Sequence, residues 1–237
     1  MQSLLLIVLA FLTSAFNAVV GIGGGVLLIA VLTTLLPASA IVPIHGIVQL
    51  ASNASRNLFS IKHTDWSIMP AFFAGASVGL IVGARAVVYF PVQYLPLVLG
   101  LFILLITWMP DFLNKRLLRG NFLFLGFMQG SLTLLLGATG PLNIPFLLRK
   151  NLDRNSVIAT HGFLMTFIHL AKIVTYGLLG FSFTRYIPLI GGMVVAVTAG
   201  SYLGTKYRNR IPEQSARLLL KVLVTVLSLG MIAKVLF

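Results

Sequence analysis

Within an apolar stretch of this 237-residue chain stand His45, Gln49, Ser52, Asn53 and Arg56. At ~100° per residue their directions fall within an arc of about 100°, so on a helix they make one polar stripe. A constant offset of 116 residues carries His45, Asn53 and Arg56 onto His161, His169 and Lys172, which make a second. Amide, imidazole and cationic donors in a row with no carboxylate among them suit the binding of an anion. Polar side chains are costly at bilayer depth and usually face the bundle interior or water. Blander uses stay open at this point. Gln49, Ser52 and Asn53 could bond neighbouring helices, a use worth about 1 kcal/mol each. Arg56 and Lys172 could snorkel from helix ends, His45 and His161 could cap or sit at the surface, and His169 could be a neutral hydrogen-bonded imidazole. His169 also suits a proton-linked step.

The elements that must position these residues precede them. Each stripe follows a glycine-rich break and a short apolar segment: GIGGG then about 24–36, and GATG then about 141–150. At ~1.5 Å per residue such segments reach roughly 15 to 20 Å, too short to cross ~30 Å of hydrocarbon alone. A half-helix that starts inside a bilayer points unpaired N–H groups and its positive dipole end at whatever occupies the centre. Gly23, Gly24 and Gly25 in the first break, and Thr139 and Gly140 in the second, are therefore candidate anion contacts. The expected binding set is these five with Gln49, Asn53, Arg56, His169 and Lys172; His45, Ser52 and His161 stand beside it.

Composition names the solvent. The chain is 58% hydrophobic and 9% charged, with a mean hydropathy of +1.02, far from the roughly 25% charge of an ordinary soluble domain. Long apolar stretches at about 1–20, 41–61, 67–89, 92–109, 118–136, 155–180, 186–205 and 214–236 are each near the ~20 residues that cross a bilayer. The opening stretch has no Lys or Arg before its apolar run, so it is expected to be a permanent span. The repeat continues past the stripes at an offset of 121, which carries Gly79, Gly83, Arg85 and Pro91 onto Gly200, Gly204, Lys206 and Pro212. These patterns predict an all-α polytopic membrane protein: two inverted repeats of about five segments each, at 1–110 and 117–237, joined by a cytoplasmic linker at 111–116. Each repeat has four long helices and one half-helix after its glycine break.

If all ten segments change sides, one set of loops holds Lys62, Lys115, Arg116, Arg119, Arg149, Lys150, Arg154, Lys206, Arg208 and Arg210, and the other only Arg85 and Arg185. That asymmetry follows the positive-inside rule and places both termini outside the cytoplasm. It also accounts for the formal +13 charge without a nucleic-acid partner, since no basic stripe is long enough to track phosphates.

Other chemistries are disfavoured. All four acids, Asp65, Asp111, Asp153 and Glu213, fall in loops or at span edges, so a cation substrate or a carboxylate proton relay lacks its residues. The chain has no cysteine, and its four histidines are scattered, so neither a metal site nor a cofactor is expected. GASVG at 75–79 fits a serine-hydrolase elbow only in a strand-turn-helix setting; on a membrane helix it reads as close packing. GIGGG and GATG lack the lysine of a phosphate loop. No enzyme is expected.

GIGGG with its short apolar helix, HGIVQLASNASRNLFSIKHTDW at 45–66, and the echo GATGPLNIPFLL with THGFLMTFIHLAKI together resemble the TauE/SafE sulfite-exporter family, also described as toluene-sulfonate uptake permeases. The sequence departs from that pattern at Ala30, where a proline usually follows the glycines, and at ATGP in the second break. The resemblance covers essentially the whole chain. It implies a prokaryotic plasma-membrane carrier, multi-pass in the lipid bilayer, for a small sulfur-containing anion such as sulfite, sulfoacetate or another organosulfonate. An anion channel and a carrier for a non-sulfur anion remain as alternatives. The resemblance leaves direction, the coupling ion (proton or sodium) and any homo-oligomer open.

Overall fold

The structure is a computed structural model and describes residues 2–20, 23–108, 121–207, 210 and 213–236. Among them the regular elements are all helical: α1 Gln2–Val20, α2 Gly24–Leu35, α3 Ala38–Ser60, α4 Met69–Tyr89, α5 Leu95–Trp108, α6 Phe122–Leu136, α7 Ile144–Leu148, α8 Arg154–Leu178, α9 Ile187–Tyr207 and α10 Glu213–Leu236. The linker expected at 111–116 lies outside the described residues, as do Gly21 and Ile22.

Five helices, α1, α4, α8, α9 and α10, are long and apolar enough to cross a membrane, while α2, α5 and α6 are apolar but shorter. The expectation of eight long apolar spans is met only in part. α5 and α6 have 14 and 15 residues. α3 has the length, at 23 residues, but its polar stripe lowers its apolar character, and the fold buries its first half, where Ile41, Val42, Ile44 and Val48 are enclosed, while Leu58 near its end is exposed. Lipid-side positions on the outer helices carry exposed Leu4, Leu12, Val78, Ile81, Val195 and Val226, as a hydrocarbon solvent requires.

Each long helix packs on one from the other half of the chain: α1 on α9, α4 on α6, α3 on α8 and α5 on α10. Gly75 meets Leu123 and Gly83 meets Ser131, so α4 and α6 run parallel; Gly192 meets Ile7 and Gly204 meets Ala15, so α1 and α9 do too. Gly46 meets Lys172 while Asn57 meets Gly162, which makes α3 and α8 antiparallel. α5 and α10 are antiparallel as well, since Gly100 meets Ile232 and the Trp108 indole donates to Thr225 Oγ1 at 3.0 Å.

A Cβ on Gly75, Gly79 or Gly83 would overlap backbone atoms of Leu123, Phe127 or Ser131, and one on Gly126 or Gly130 would overlap backbone of Phe72 or Ala76. GASVG is thus part of a face on which two backbones touch, the arrangement small residues permit between membrane helices.

At one end of the bundle the loop after α3 meets the loop after α7. Lys150 Nζ lies 3.3 Å from Asp65 Oδ2, and the Asp65 N–H donates to Thr160 Oγ1 at 2.9 Å. Lys62 and Lys150 therefore share an end. Hydrogen bonds from Ser67, then the Lys150 ammonium, hold the Asp65 carboxyl below the usual carboxylate range. Because the folded value is depressed, the stabilisation is complete above the ordinary value of about 3.9 and is lost as pH falls through the folded one. The ion pair is partly exposed, at 37% and 18%, and contributes at most about 1 kcal/mol. Asp65→Asn should lower the melting temperature slightly near pH 7, and the deficit should shrink toward pH 3. A deficit constant over that range would assign the effect to something other than charge.

Candidate functional site

The first break turns on Gly23, whose φ of 103° lies in the left-handed region that glycine enters without steric cost. Asn17, one turn before the end of α1, ties it: its Oδ1 accepts from the Gly24 N–H at 3.0 Å. Gly25 and Val26 carry further first-turn N–H groups with no partner inside the helix. His45 on α3 lies 2.9 Å, through Nε2, from the Gly25 carbonyl. A carbonyl only accepts, so the His45 proton is on Nε2. Its buried Nδ1 then has no partner among the described residues.

The second break turns on Gly137, at a φ of 63°. The chain doubles back there, far enough that Gln129 Nε2 on α6 donates to the Thr139 carbonyl at 2.8 Å. A 3-10 turn, Gly140–Asn143, follows and leads into the five residues of α7. The two helix starts expected to be alike are therefore unequal. The first break opens a regular helix of 12 residues; in the second, Pro141 and Pro145 remove N–H donors and the helix start contributes less.

The breaks meet at a cavity of about 30 Å³, room for roughly two water-sized groups. Of the residues expected to bind, Gly23, Gly25, Gln49, Asn53, Gly140 and His169 line it, as do His45 and His161. Gly24, Ser52, Arg56, Thr139 and Lys172 do not. Ser52 instead lies 3.0 Å from Ser14 and 3.3 Å from Ser201, joining α1, α3 and α9, which is the helix-bonding use left open for it.

Lys172 and Arg56 stand directly behind the lining. Lys172 is fully buried, and among the described residues it has no carboxylate partner. Its Nζ donates to the Gly137 carbonyl at 2.6 Å and to His169 Nδ1 at 3.2 Å. An ammonium has only donors, so His169 Nδ1 accepts and the imidazole proton sits on Nε2. Arg56 Nη2 donates to Asn53 Oδ1 at 2.6 Å, and Asn53 Nδ2 donates to the Gln49 carbonyl at 2.8 Å. Both stripes thus use one device: a lining side chain held by the cation three residues on. Neither cation has snorkelled to an interface.

Asn17, Gln129, Thr133 and Asn143, all buried, are site-forming residues that the stripes did not reveal. A signal for three of them exists in the sequence. Thr13 and Asn17, one turn apart before the first break, map at the offset of 116 onto Gln129 and Thr133 before the second. Val26, Ala138, Pro141 and Met165 complete the lining and carry no signal beyond their apolar type.

Five helices able to span a bilayer, around a cation-backed cavity where two chain breaks meet, are the architecture of a multi-pass membrane transporter. The family model described as Sulfite exporter TauE/SafE matches residues 6–231, and the chain belongs to that family. No curated protein and no solved structure matches it.

Proposed function

We propose that this protein is a secondary carrier that moves a small sulfur-containing anion, such as sulfite, sulfoacetate or another organosulfonate, across a prokaryotic plasma membrane by alternating access. The observation that carries the reading is the central cavity: neutral donors line it, Lys172 and Arg56 stand behind it, and among the described residues no carboxylate faces it. Gln49, Asn53 and the Nε2–H of His169 donate to the anion's oxygens, with the first-turn N–H groups of Gly25 and Val26. The positive end of α2 adds to the attraction. Lys172 and Arg56 supply charge from one side chain away. Sulfur itself is inferred from the family.

Alternating access between inverted halves is supported by the helix pairing. Under the sequence offsets α1 corresponds to α6, α3 to α8, α4 to α9 and α5 to α10. A two-fold axis in the membrane plane makes corresponding helices antiparallel, as α3 and α8 are, and α5 and α10. It also turns the parallel pair α1 and α9 into the parallel pair α6 and α4. Chain direction then alternates through the ten segments, with the short α2 and α7 returning only part of the way, the basic loops in the cytoplasm and both termini outside.

The test is thermal stability of the purified protein against sulfite, sulfoacetate, taurine, sulfate, acetate and chloride, where a ligand at about 100 times its dissociation constant adds roughly 2.7 kcal/mol. Selective stabilisation by a sulfur anion is expected; no selective response would remove the sulfur assignment. Because the chain has no cysteine of its own, Met165→Cys and Ala138→Cys give a second reading. Both should react with a charged aqueous thiol reagent, and the preferred anion should slow that reaction about tenfold or more at saturation. Labelling indifferent to every anion would place the substrate elsewhere.

A further inference from the structure

Behind the second break lies a set of oxygens that the anion does not use. Gln129 Oε1, Thr133 Oγ1, Thr139 Oγ1 and Asn143 Oδ1 belong to side chains with no solvent exposure, and none has a hydrogen-bond partner among the described residues. Gln129 Nε2 and the Leu142 N–H both donate to the Thr139 carbonyl, at 2.8 Å and 3.1 Å. That carbonyl holds the Gln129 side chain against Thr139, and Thr133 stands one turn beyond Gln129 on α6, whereas Asn143 turns toward the cavity lining, its Nδ2 3.4 Å from His161 Nδ1. Ala138, Gly140 and Pro141 face the central cavity but Thr139 does not. Gln129 and Thr133, like Thr139, are absent from that lining. The matching positions in the first half are Thr13, Asn17, Gly23 and Leu27. Thr13 Oγ1 donates to the Ala10 carbonyl and Asn17 Oδ1 accepts from Gly24, so nothing comparable remains open there.

We propose that Gln129, Thr133 and Thr139 form a sodium site. Neutral side-chain oxygens beside an unwound break suit a monovalent hard cation; a divalent ion would call for carboxylates. Lys172, on the nearby Gly137 carbonyl, opposes a second cation until an anion enters the cavity. Sodium and the anion therefore bind jointly. This joint binding rests on the anion-carrier reading, whereas the sodium site by itself does not.

The experiment is equilibrium binding of radioactive sodium to the purified wild type at constant ionic strength. Saturable binding displaced by sodium chloride, but not by potassium or choline chloride, is expected. Thr139→Val and Thr133→Val should each weaken it at least tenfold, and Thr139→Ser should retain it. Removing hydroxyls that have no partner leaves packing intact, so these variants should melt no lower than the wild type. Sulfite should tighten sodium binding, and sodium should tighten sulfite binding by the same factor. Lys172→Gln should bind sodium more tightly without any anion. No displaceable sodium on the wild type, or binding indifferent to both valine variants, would overturn the site and leave the anion reading standing. Sodium binding that sulfite does not change would keep the site and overturn joint binding with a sulfur anion.

Discussion

Lys172→Gln is expected to nearly abolish transport while leaving the protein at least as stable as the wild type. The ammonium lies one imidazole away from the cavity. At an effective dielectric of about 20, a charge roughly 6 to 8 Å from a monovalent anion contributes about 2 to 3 kcal/mol, so affinity should fall about 30- to 100-fold. The same substitution releases His169 Nδ1 from its donor and with it the fixed Nε2–H. Stability should move the other way. A fully buried ammonium with no carboxylate partner among the described residues costs desolvation energy that a neutral amide of similar length largely avoids. Uptake of labelled sulfite into proteoliposomes, set beside the melting temperature, checks both halves. Wild-type kinetics would take Lys172 out of the site; loss of activity together with a collapse in stability would make it a structural residue.

Gly79→Val should destabilise the protein far more than any substitution at the cavity. The added Cβ alone overlaps the Phe127 carbonyl and approaches the Ser131 nitrogen; both are backbone, so no side-chain rotation relieves the overlap. Forcing α4 and α6 apart should cost about 3 kcal/mol or more. Gly191→Ala on α9 is the control, because nothing lies within 4 Å of a Cβ built there. It should be neutral or stabilise by up to about 1 kcal/mol, the helix-propensity difference between alanine and glycine. Detergent-purified protein of each kind, melted side by side, separates the two. Equal melting would mean that the contact between α4 and α6 does not hold this bundle together.

The sequence alone determined the solvent, the class and the two stripes. Apolar stretches of bilayer length, basic loops of one set and the offset of 116 need no partner to be legible, because each is a property of one segment or of two segments compared. His45, Gln49, Asn53, His161 and His169 could be placed on shared helix faces for the same reason: the helical period fixes a side chain's direction about its own axis. What lies opposite that direction is settled only when helices pack. The antiparallel pairing of α3 with α8 brings the two stripes to one cavity, and places Lys172 and Arg56 behind it instead of in it. Ser52, in line with the stripe, is drawn off by Ser14 and Ser201 on helices whose approach no spacing announces. Thr139 occupies a break where the glycine at 137 has a positive φ. There the chain reverses, and helical periodicity no longer says which way a side chain points. The open oxygens behind that break were out of reach for the same reason, since whether a buried polar atom has a partner depends on every neighbour that the tertiary structure supplies.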